Sequence, residues 1–384
     1  MKVVIATPIL YDAQSPFNHL FKDIIGGFLD AGYDVERHVA VRDEREDGYR
    51  FGYDAVEYHK YLRKESAHGN IITRYLRDTL TNIREARGVR RSGADVLFED
   101  VSYSSFWAVR AAKKKGMRVV AMLQDVWPDN AVQSGLIRQG GLLYRFFEAW
   151  QRYVYKKADK LICISDDMKD FIVSKGVDEK KIEVIYNWGY SDEVVDIPWD
   201  ENEFVKKYRL KKDFYAVYAG NIGKMQNVDL VLRAARKLPD TEFLIIGDGA
   251  RRAEIEKQAE GQANVRMLPL QPPELAEHIY CMAGVNIIPL VEGGPKTAMP
   301  SKTGVVLSCG RPAIFCFGTG TRFAQTVQEC GAGTSVSATD ETELADAIRT
   351  LQTETGREPR SYALFQRLFL RTRNIERYVE SVKI

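Results

Sequence analysis

The 384-residue sequence lacks the features of several protein classes. No apolar run approaches the roughly 18 residues that a membrane-spanning helix needs, and Met1–Leu10 has no signal-peptide core or cleavage site. The cysteines are odd in number, and no pair has the Cys-x-x-Cys spacing, so a disulfide scaffold and a four-cysteine zinc site are disfavoured. They are Cys163, Cys281, Cys309, Cys316 and Cys330. We therefore expect a protein of the reducing cytoplasm, at most peripheral on a membrane face.

An excess of charge of one sign is missing as well. Lys and Arg total 55 against 53 Asp and Glu, a net charge of +2, so no nucleic-acid partner is expected. The charge is unevenly distributed, because residues 101–160 contain eleven Lys/Arg and four Asp/Glu. No Asp-x-Asp occurs anywhere, so the usual carboxylate clamp for a magnesium-bound diphosphate is absent.

Short apolar segments alternate with segments of helical period along the chain. At roughly 150 residues per domain, the length predicts two to three domains. Alternation predicts parallel sheets covered by helices, in two Rossmann-like domains that face each other across a ligand-binding cleft. The predicted boundaries are 1–190, 191–360 and a C-terminal helix, 361–384, that can cross back to the N-terminal domain. The predicted strands are 2–9, 33–41, 95–98, 118–123, 160–165, 214–219, 242–246, 265–268, 286–289 and 313–317.

Two glycine turns follow strands of the second domain. Gly220, Gly223 and Lys224 lie where a strand meets a helix, and backbone N–H groups there can approach an anion. Gly247 and Gly249 form a second turn of this kind. An ordinary turn, with glycines needed for close backbone packing, explains both patterns equally well.

The segment 289–312 combines a flexible loop with a helix start. Gly293 and Gly294 form the loop, Ser301 can cap the helix, and Lys302 places a cation beside its N–H groups. A solvated lysine at a common helix start is the alternative. Three candidate anion sites in one domain suggest a nucleotide diphosphate, whose charge Lys, Arg and helix dipoles would meet.

The order of these motifs carries a resemblance. GNIG, LIIGDG and PL…GG…PSK…CGRPAI, with LQDVWPDNAVQSGLI, ADKLICISDDMKDFI and VIYNW in the first domain, resemble retaining glycosyltransferases of the GT4 family. The similarity runs from Lys2 to about Leu351. It is closest to the branch that builds bacterial surface polysaccharides such as capsule or O-antigen, and it implies the GT-B fold.

The resemblance implies a transferase of the hexosyl or N-acetylhexosaminyl type. Its donor would be a nucleotide-diphospho-sugar, usually UDP-linked, and its acceptor a lipid-linked (polyprenyl-diphosphate) saccharide at the inner face of the cell membrane. No cofactor and no obligatory metal are implied. The predicted donor-binding residues are Gly220, Asn221, Gly223, Lys224, Gly247, Gly249, Leu268, Gly293, Gly294, Ser301 and Lys302.

The sequence departs from the family where two glutamates usually stand. Alignment on Gly310 puts Thr297 and Val305 there, and neither can ionise. Family members use the second glutamate for the ribose hydroxyls, so that contact is missing. Asn221 replaces a familiar arginine, which leaves Lys224 and Lys302 as the expected diphosphate cations.

Two residues of the first domain are candidates for the acceptor side, both assigned as catalytic. Asp125 follows the strand 118–123, where family members place a His or Asp, and it could orient or deprotonate the acceptor hydroxyl. Capping of the turn before Trp127 is its alternative role. His19 resembles the acceptor-side loop, and a half-buried helix-start histidine is equally consistent. The other histidines, at 38, 59, 68 and 278, show no metal-ligand spacing and are interpreted as structural or exposed.

The segment Leu142–Lys157 is aromatic and basic. We interpret most of it as a core helix, with a helix that dips into an anionic bilayer as the alternative. Two other functions also remain open for the chain: a GT-B sugar-nucleotide epimerase or hydrolase, and a catalytically weak donor-binding scaffold subunit. A dinucleotide-dependent oxidoreductase is disfavoured, because no G-x-G-x-x-G follows the first strand.

Overall fold

The computed structural model describes residues 1–11, 18–43, 45–63, 71–353 and 358–383. They form two compact units: unit 1 is Met1–Tyr186 with Thr372–Ile384, and unit 2 is Asn187–Arg371. Each unit is an α/β domain built on one parallel sheet, so the predicted fold class is confirmed. Within the described ranges, no helix combines the length and the apolar character needed to cross a membrane.

The strands alternate with helices along most of the chain. The strands are β1 (Lys2–Leu10), β2 (Asp34–Val41), β3 (Glu57–Leu62), β4 (Val96–Asp100), β5 (Arg118–Leu123), β6 (Lys160–Cys163), β7 (Ile182–Val184), β8 (Tyr215–Ala219), β9 (Glu242–Ile246), β10 (Val265–Leu268), β11 (Val285–Pro289), β12 (Ala313–Cys316) and β13 (Thr334–Ser335). The helices are α1 (Asn18–Asp30), α2 (Ile71–Arg91), α3 (Phe106–Lys113), α4 (Asp129–Gln133), α5 (Leu142–Lys157), α6 (Asp166–Ser174), α7 (Glu203–Tyr208), α8 (Val228–Arg236), α9 (Arg252–Ala259), α10 (Ala276–Met282), α11 (Lys302–Ser308), α12 (Arg322–Cys330), α13 (Glu341–Thr353), α14 (Glu358–Leu368) and α15 (Arg371–Ser381).

The sheet of unit 1 has seven strands in the order β3-β2-β1-β4-β5-β6-β7. Its central strands are buried on both faces, as in Val3, Val4 and Ile5 of β1, which is why they read as continuous apolar runs. The order reverses direction next to β1. The carboxyl ends of β4 and β5 therefore lie near the switch point where such sheets bind ligands.

The sheet of unit 2 has six strands in the order β10-β9-β8-β11-β12-β13. Here the order reverses next to β8, so the turns that follow β8, β9 and β11 lie at one edge of the sheet. Helix α8 buries Val228, Val231 and Leu232 against this sheet. These neighbouring turns carry most of the predicted donor residues.

The C-terminal segment contains two helices, α14 and α15, where the sequence predicted one. Phe369 is buried between them, and the Arg371 backbone N–H donates to the Asp192 carboxylate at the start of α15. An aspartate that accepts from a first-turn N–H caps the new helix, which stabilises the break. Tyr378 of α15 packs in unit 1, where its ring centroid lies 5.9 Å from that of Phe98 on β4.

Candidate functional site

The turns after β8 and β9 contact each other through their backbones. The Gly220 N–H donates to Ile246 O at 2.9 Å, and the Ile222 N–H donates to Asp248 O at 2.7 Å. A Cβ atom on Gly247 would lie 1.8 Å from the Gly220 carbonyl oxygen. Only glycine fits at Gly247, because both its φ of +153° and the neighbouring backbone exclude a side chain.

Gly249 and Gly223 fill equally tight places. A Cβ on Gly249 would lie 2.4 Å from Asn221 Oδ1, and one on Gly223 would lie 2.7 Å from Gln226 Oε1. The Asn221 side-chain amide in turn donates to Gln226 Oε1 at 3.4 Å. Close packing, which the sequence left open as an explanation, accounts for these glycines and holds the turns in one shape.

Lys302 reaches from the start of α11 to the end of β8. Its ammonium donates to Ala219 O at 2.7 Å and lies 4.0 Å from the centroid of the Tyr218 ring. A Cβ on Gly220 would be 3.0 Å from the Lys302 Nζ atom. Burial lowers the pKa of this amine to about 7. The alternative of a merely solvated lysine is therefore wrong: the cation is seated at the Gly220 turn.

Ser301 does not act as the predicted helix cap. Its side chain makes no capping hydrogen bond, and its backbone is already helical, with φ −59° and ψ −26°. A capping residue normally has extended dihedrals that aim its oxygen at the first-turn N–H groups. The Thr303 hydroxyl instead donates to Pro300 O at 2.8 Å in this turn.

Lys224 is exposed in the turn after Gly223 and, among the described residues, has no ion-pair or hydrogen-bond partner. Its neighbour Met225 accepts a hydrogen bond from the Val291 N–H at 2.9 Å. Gly293, with a φ of +74°, follows in the same loop. The Gly294 N–H donates back to Val291 O at 2.9 Å. The structure thus joins the turn after β8 to the loop after β11.

Arg252 and Tyr218 belong to this region, although sequence reasoning missed both. The Arg252 guanidinium donates to Gly247 O and, at 3.0 Å, to Leu268 O, which also accepts the Gly247 N–H at 3.2 Å. The Tyr218 hydroxyl donates to Asn221 O. In the sequence, the role of Arg252 was indicated only by its position soon after Gly-Asp-Gly. Predicted Leu268 takes part through its backbone carbonyl, since its side chain is buried.

Two carboxyl groups of unit 1 come together at the carboxyl ends of β4 and β5. Asp100 ends β4 opposite Met122, and Asp125 lies two residues beyond β5. Burial, followed by the charge of Asp125, raises the pKa of Asp100 to about 7. The Asp125 side chain reaches solvent, yet the atoms packed around it raise its pKa to about 6, against a hydrogen bond from Asn130. Both carboxyls thus have raised pKa values, as functional-site groups often do.

Further buried carboxyls lie beside this pair and were not predicted. Burial raises the pKa of Glu99 well above its usual value and that of Glu85 to about 7. Burial lowers the pKa of the Arg37 guanidinium to about 10, while the charge of Asp100 raises it; the cation whose charge acts on Glu85 is Arg63. Glu99 and Asp100 end the otherwise apolar strand β4, whereas Glu85 lies in the largely polar helix α2.

His19 is half-buried in the first turn of α1. Residues 15–17 of its SPFNHLF segment lie outside the described residues. His19 therefore stays a sequence-based candidate for the acceptor side.

Two Rossmann-like α/β units in one chain, with glycine turns at the carboxyl ends of strands in unit 2, are the architecture of the GT-B fold. Residues 21–188 match the profile of a glycosyl transferase 4-like domain, and residues 213–354 match that of glycosyl transferases group 1. Together the two matches cover most of the chain. The chain belongs to the glycosyltransferases of the GT-B fold.

Two relatives that carry glycosyltransferase names support this assignment. The chain is 26% identical over 237 residues to WbjE of Pseudomonas aeruginosa, a probable glycosyltransferase, with 61% of this chain and 59% of WbjE covered. It is 26% identical over 248 residues to WcaI of Escherichia coli K12, a putative colanic acid biosynthesis glycosyl transferase, with coverages of 62% and 60%. The matches thus span about three fifths of these relatives. Anabaena HepE, solved with UDP-glucose, shares the fold, with a TM-score of 0.75, 12% identity and coverages of 100% and 99%.

Replacement of Gly247 by alanine should destabilise unit 2 by about 3 kcal/mol or more, since overpacking and left-handed strain add. Gly261→Ala is the matched control, because Gly261 has a φ of +78° with nothing within 4 Å of its Cβ position. It should cost only about 1 kcal/mol. Urea denaturation of both variants checks this, and equal losses would contradict the close backbone contact.

Proposed function

We propose that the chain is a retaining glycosyltransferase. It would move a hexosyl or N-acetylhexosaminyl group from a nucleotide-diphospho-sugar, UDP-linked in our proposal, to a lipid-linked saccharide during bacterial surface polysaccharide synthesis. The observation that carries the proposal is the seating of the Lys302 ammonium at the Gly220 turn. Such a cation, beside a glycine turn at a sheet's carboxyl edge, suits a diphosphate.

Unit 2 would bind the donor. Lys302 uses one of its N–H groups on Ala219 O, which leaves the others for phosphate oxygens. Lys224 is exposed in the turn after Gly223 and would supply a second charge. Neither position 297 nor position 305 offers a carboxylate, and both side chains are buried. Cations and backbone dipoles would therefore stabilise the departing diphosphate without a metal clamp.

Unit 1 would supply the acceptor side through Asp125. In the transfer, the bond between the anomeric carbon and the diphosphate oxygen breaks, and a bond from that carbon to the acceptor oxygen forms. The acceptor hydroxyl loses its proton, which the departing diphosphate oxygen takes up on the same sugar face. Asp125 would hold the hydroxyl by accepting its hydrogen bond, and a raised pKa keeps this carboxylate basic enough to share the proton.

The carboxyl pair also favours a second candidate, a sugar-nucleotide hydrolase or epimerase. Asp100 and Asp125 interact closely enough for one charge to raise the pKa of the other, and such chemistry needs paired carboxyls. Donor consumption in the absence of any acceptor saccharide would identify it. The catalytically weak scaffold subunit would instead bind donor without turnover.

A peripheral position on an anionic membrane is part of the proposal. Helix α5 buries Tyr144, Phe147 and Val154 on one face. Its other face leaves Leu142 86% exposed and Phe146 42% exposed. Exposed basic residues flank them: Arg145, Arg152, Lys156 and Lys157. Core and surface roles thus fall on opposite faces of one helix, which suits interfacial insertion.

Lys302→Met should weaken UDP binding at least tenfold near pH 6, the scale of a charge-assisted hydrogen bond. A pKa of about 7 means that Lys302 is cationic below this pH and loses its charge above it. The ratio of the UDP affinity of the wild type to that of the variant should therefore fall as pH rises to about 8.5. Titration of UDP itself affects both proteins and cancels in this ratio. Calorimetry at both pH values measures it. Lys257→Met, on exposed α9, should match the wild type; a pH-independent ratio of one for Lys302→Met would remove the diphosphate assignment.

Asp125→Asn should lower turnover by roughly 10²-fold, the scale of general-base assistance, with UDP affinity unchanged. Asp178→Asn is the control for a capping role alone, because Asp178 accepts the Lys180 N–H at 3.0 Å at the start of a short 3-10 helix. That variant should lose about 1 kcal/mol of stability and keep its turnover per folded molecule. Intact turnover in Asp125→Asn would end its candidacy.

The protein should float with anionic vesicles at low salt and be released at high salt, since headgroup attraction is screened. Leu142→Glu with Phe146→Glu should reduce this binding at least tenfold, because each substitution removes buried apolar area and adds a repelled charge. Leu270→Glu, at a 58% exposed position of unit 2, is the matched control. Equal binding to neutral and anionic vesicles would contradict a membrane role for α5. An equal loss of vesicle binding in the Leu142→Glu/Phe146→Glu variant and in Leu270→Glu would contradict it as well.

A further inference from the structure

Two Glu-x-His sequences lie side by side on strands β2 and β3. Glu36 pairs with Glu57, and His38 pairs with His59, in a parallel register. Side chains two residues apart on a strand share one face of the sheet. All four side chains therefore stand together on one face, at the edge where β3 ends the seven-stranded sheet.

Their ligand atoms converge on a small volume. His38 Nε2 lies 2.7 Å from Glu36 Oε1, and His59 Nε2 lies 3.3 Å from the same oxygen. His59 Nε2 is also 3.0 Å from Glu57 Oε1. Lys2 Nζ contacts the other oxygens, Glu36 Oε2 at 2.8 Å and Glu57 Oε2 at 3.2 Å. The lysine thus turns both Oε1 atoms towards the imidazoles.

We propose that this cluster binds a divalent transition metal such as Zn²⁺. The ligands are Glu36 Oε1, His38 Nε2 and His59 Nε2, with Glu57 Oε1 as the fourth. Tetrahedral ligands about 2.0–2.1 Å from zinc lie roughly 3.3 Å apart, and the three contacts, of 2.7, 3.0 and 3.3 Å, are at or somewhat below that spacing. The atoms of Glu36, His38 and His59 all lie within 4.8 Å of one another, and Glu57 Oε1 is 3.0 Å from His59 Nε2.

The buried half of the site is already oriented. His38 Nδ1 lies 2.7 Å from the Tyr61 hydroxyl, whose oxygen accepts the Nδ1–H when Nε2 holds the metal. The His38 ring also stacks on Tyr61, with centroids 5.7 Å apart. Gly88 of α2 makes room for both, since a Cβ there would lie 2.2 Å from the Tyr61 hydroxyl and 2.5 Å from His38 Cε1.

The exposed half provides the entry path. The His59 side chain is 42% exposed, whereas His38 is fully buried. Imidazole and carboxylate ligands without a thiolate suit zinc, cobalt or nickel. A metal here would fasten the edge strand β3 to β2 and, through Lys2, to β1. It would act separately from the diphosphate proposed for unit 2.

Calorimetric titration of the metal-stripped protein with Zn²⁺ at neutral pH tests the site. The wild type should bind one equivalent of Zn²⁺, and His59→Gln should bind it at least about 100-fold more weakly. Zn²⁺ should raise the Tm of the wild type but not that of His59→Gln. His278→Gln is the matched control; His278, in unit 2, accepts the Glu203 N–H at 3.1 Å and should leave zinc binding unchanged.

Co²⁺ substitution identifies the donor atoms. The wild-type spectrum should show visible d–d bands without thiolate charge transfer, and His59→Gln should lose these bands. Wild-type zinc stoichiometry and affinity in His59→Gln would overturn the proposal, as would thiolate bands from the cysteines. Failure of the wild type to bind Zn²⁺ would overturn it as well.

Discussion

The part of unit 2 that carries the predicted donor residues depends on one close approach, that of Gly247 to the Gly220 carbonyl. Hydrogen bonds from Gly220 to Ile246 and from Ile222 to Asp248 fix the two turns against each other. Arg252 then closes the second turn by donating to Gly247 O. With these turns fixed, the Ala219 carbonyl has one position, and it is this carbonyl that receives the Lys302 ammonium. A side chain at Gly247 would disturb the cation as well as the turn.

Charge in both units is kept in poorly hydrated surroundings, which explains the shifted pKa values. The Lys302 ammonium contacts one carbonyl oxygen and one aromatic ring. Because these two groups replace little of its hydration, the charged form is only marginally favoured near neutral pH. Asp100 shows the converse, because burial and a neighbouring carboxylate favour its protonated form. An arriving diphosphate would favour the charged form of the lysine, and this coupling between proton and anion would make the affinity of such a site fall as pH rises above the pKa.

The sequence predicted the alternating parallel architecture because buried β-branched strands and glycine turns leave clear patterns. It missed β3, since Glu57–Leu62 is polar and aromatic and its partners on β2 are 21 residues away in sequence. The pairing of two Glu-x-His sequences follows only from the register of β2 and β3. The state of Lys302 could not be predicted either, because the carbonyl that it contacts lies 83 residues earlier. Local capping rules failed at Ser301, whose own backbone is helical.

The absence of the family's two glutamates has a structural basis. Thr297 is fully buried, and its hydroxyl donates to Gly294 O at 3.2 Å. A glutamate in its place would bury a charge beside a carbonyl oxygen, which repels it. Val305 is also buried, with its Cγ2 only 3.1 Å from a Cβ position on Gly189. Both side chains are thus buried in the core. A carboxylate at either position would lose its hydration without gaining a partner among the groups described here. If the chain binds a nucleotide sugar, contacts to the ribose hydroxyls would have to come from groups other than carboxylates at these two positions.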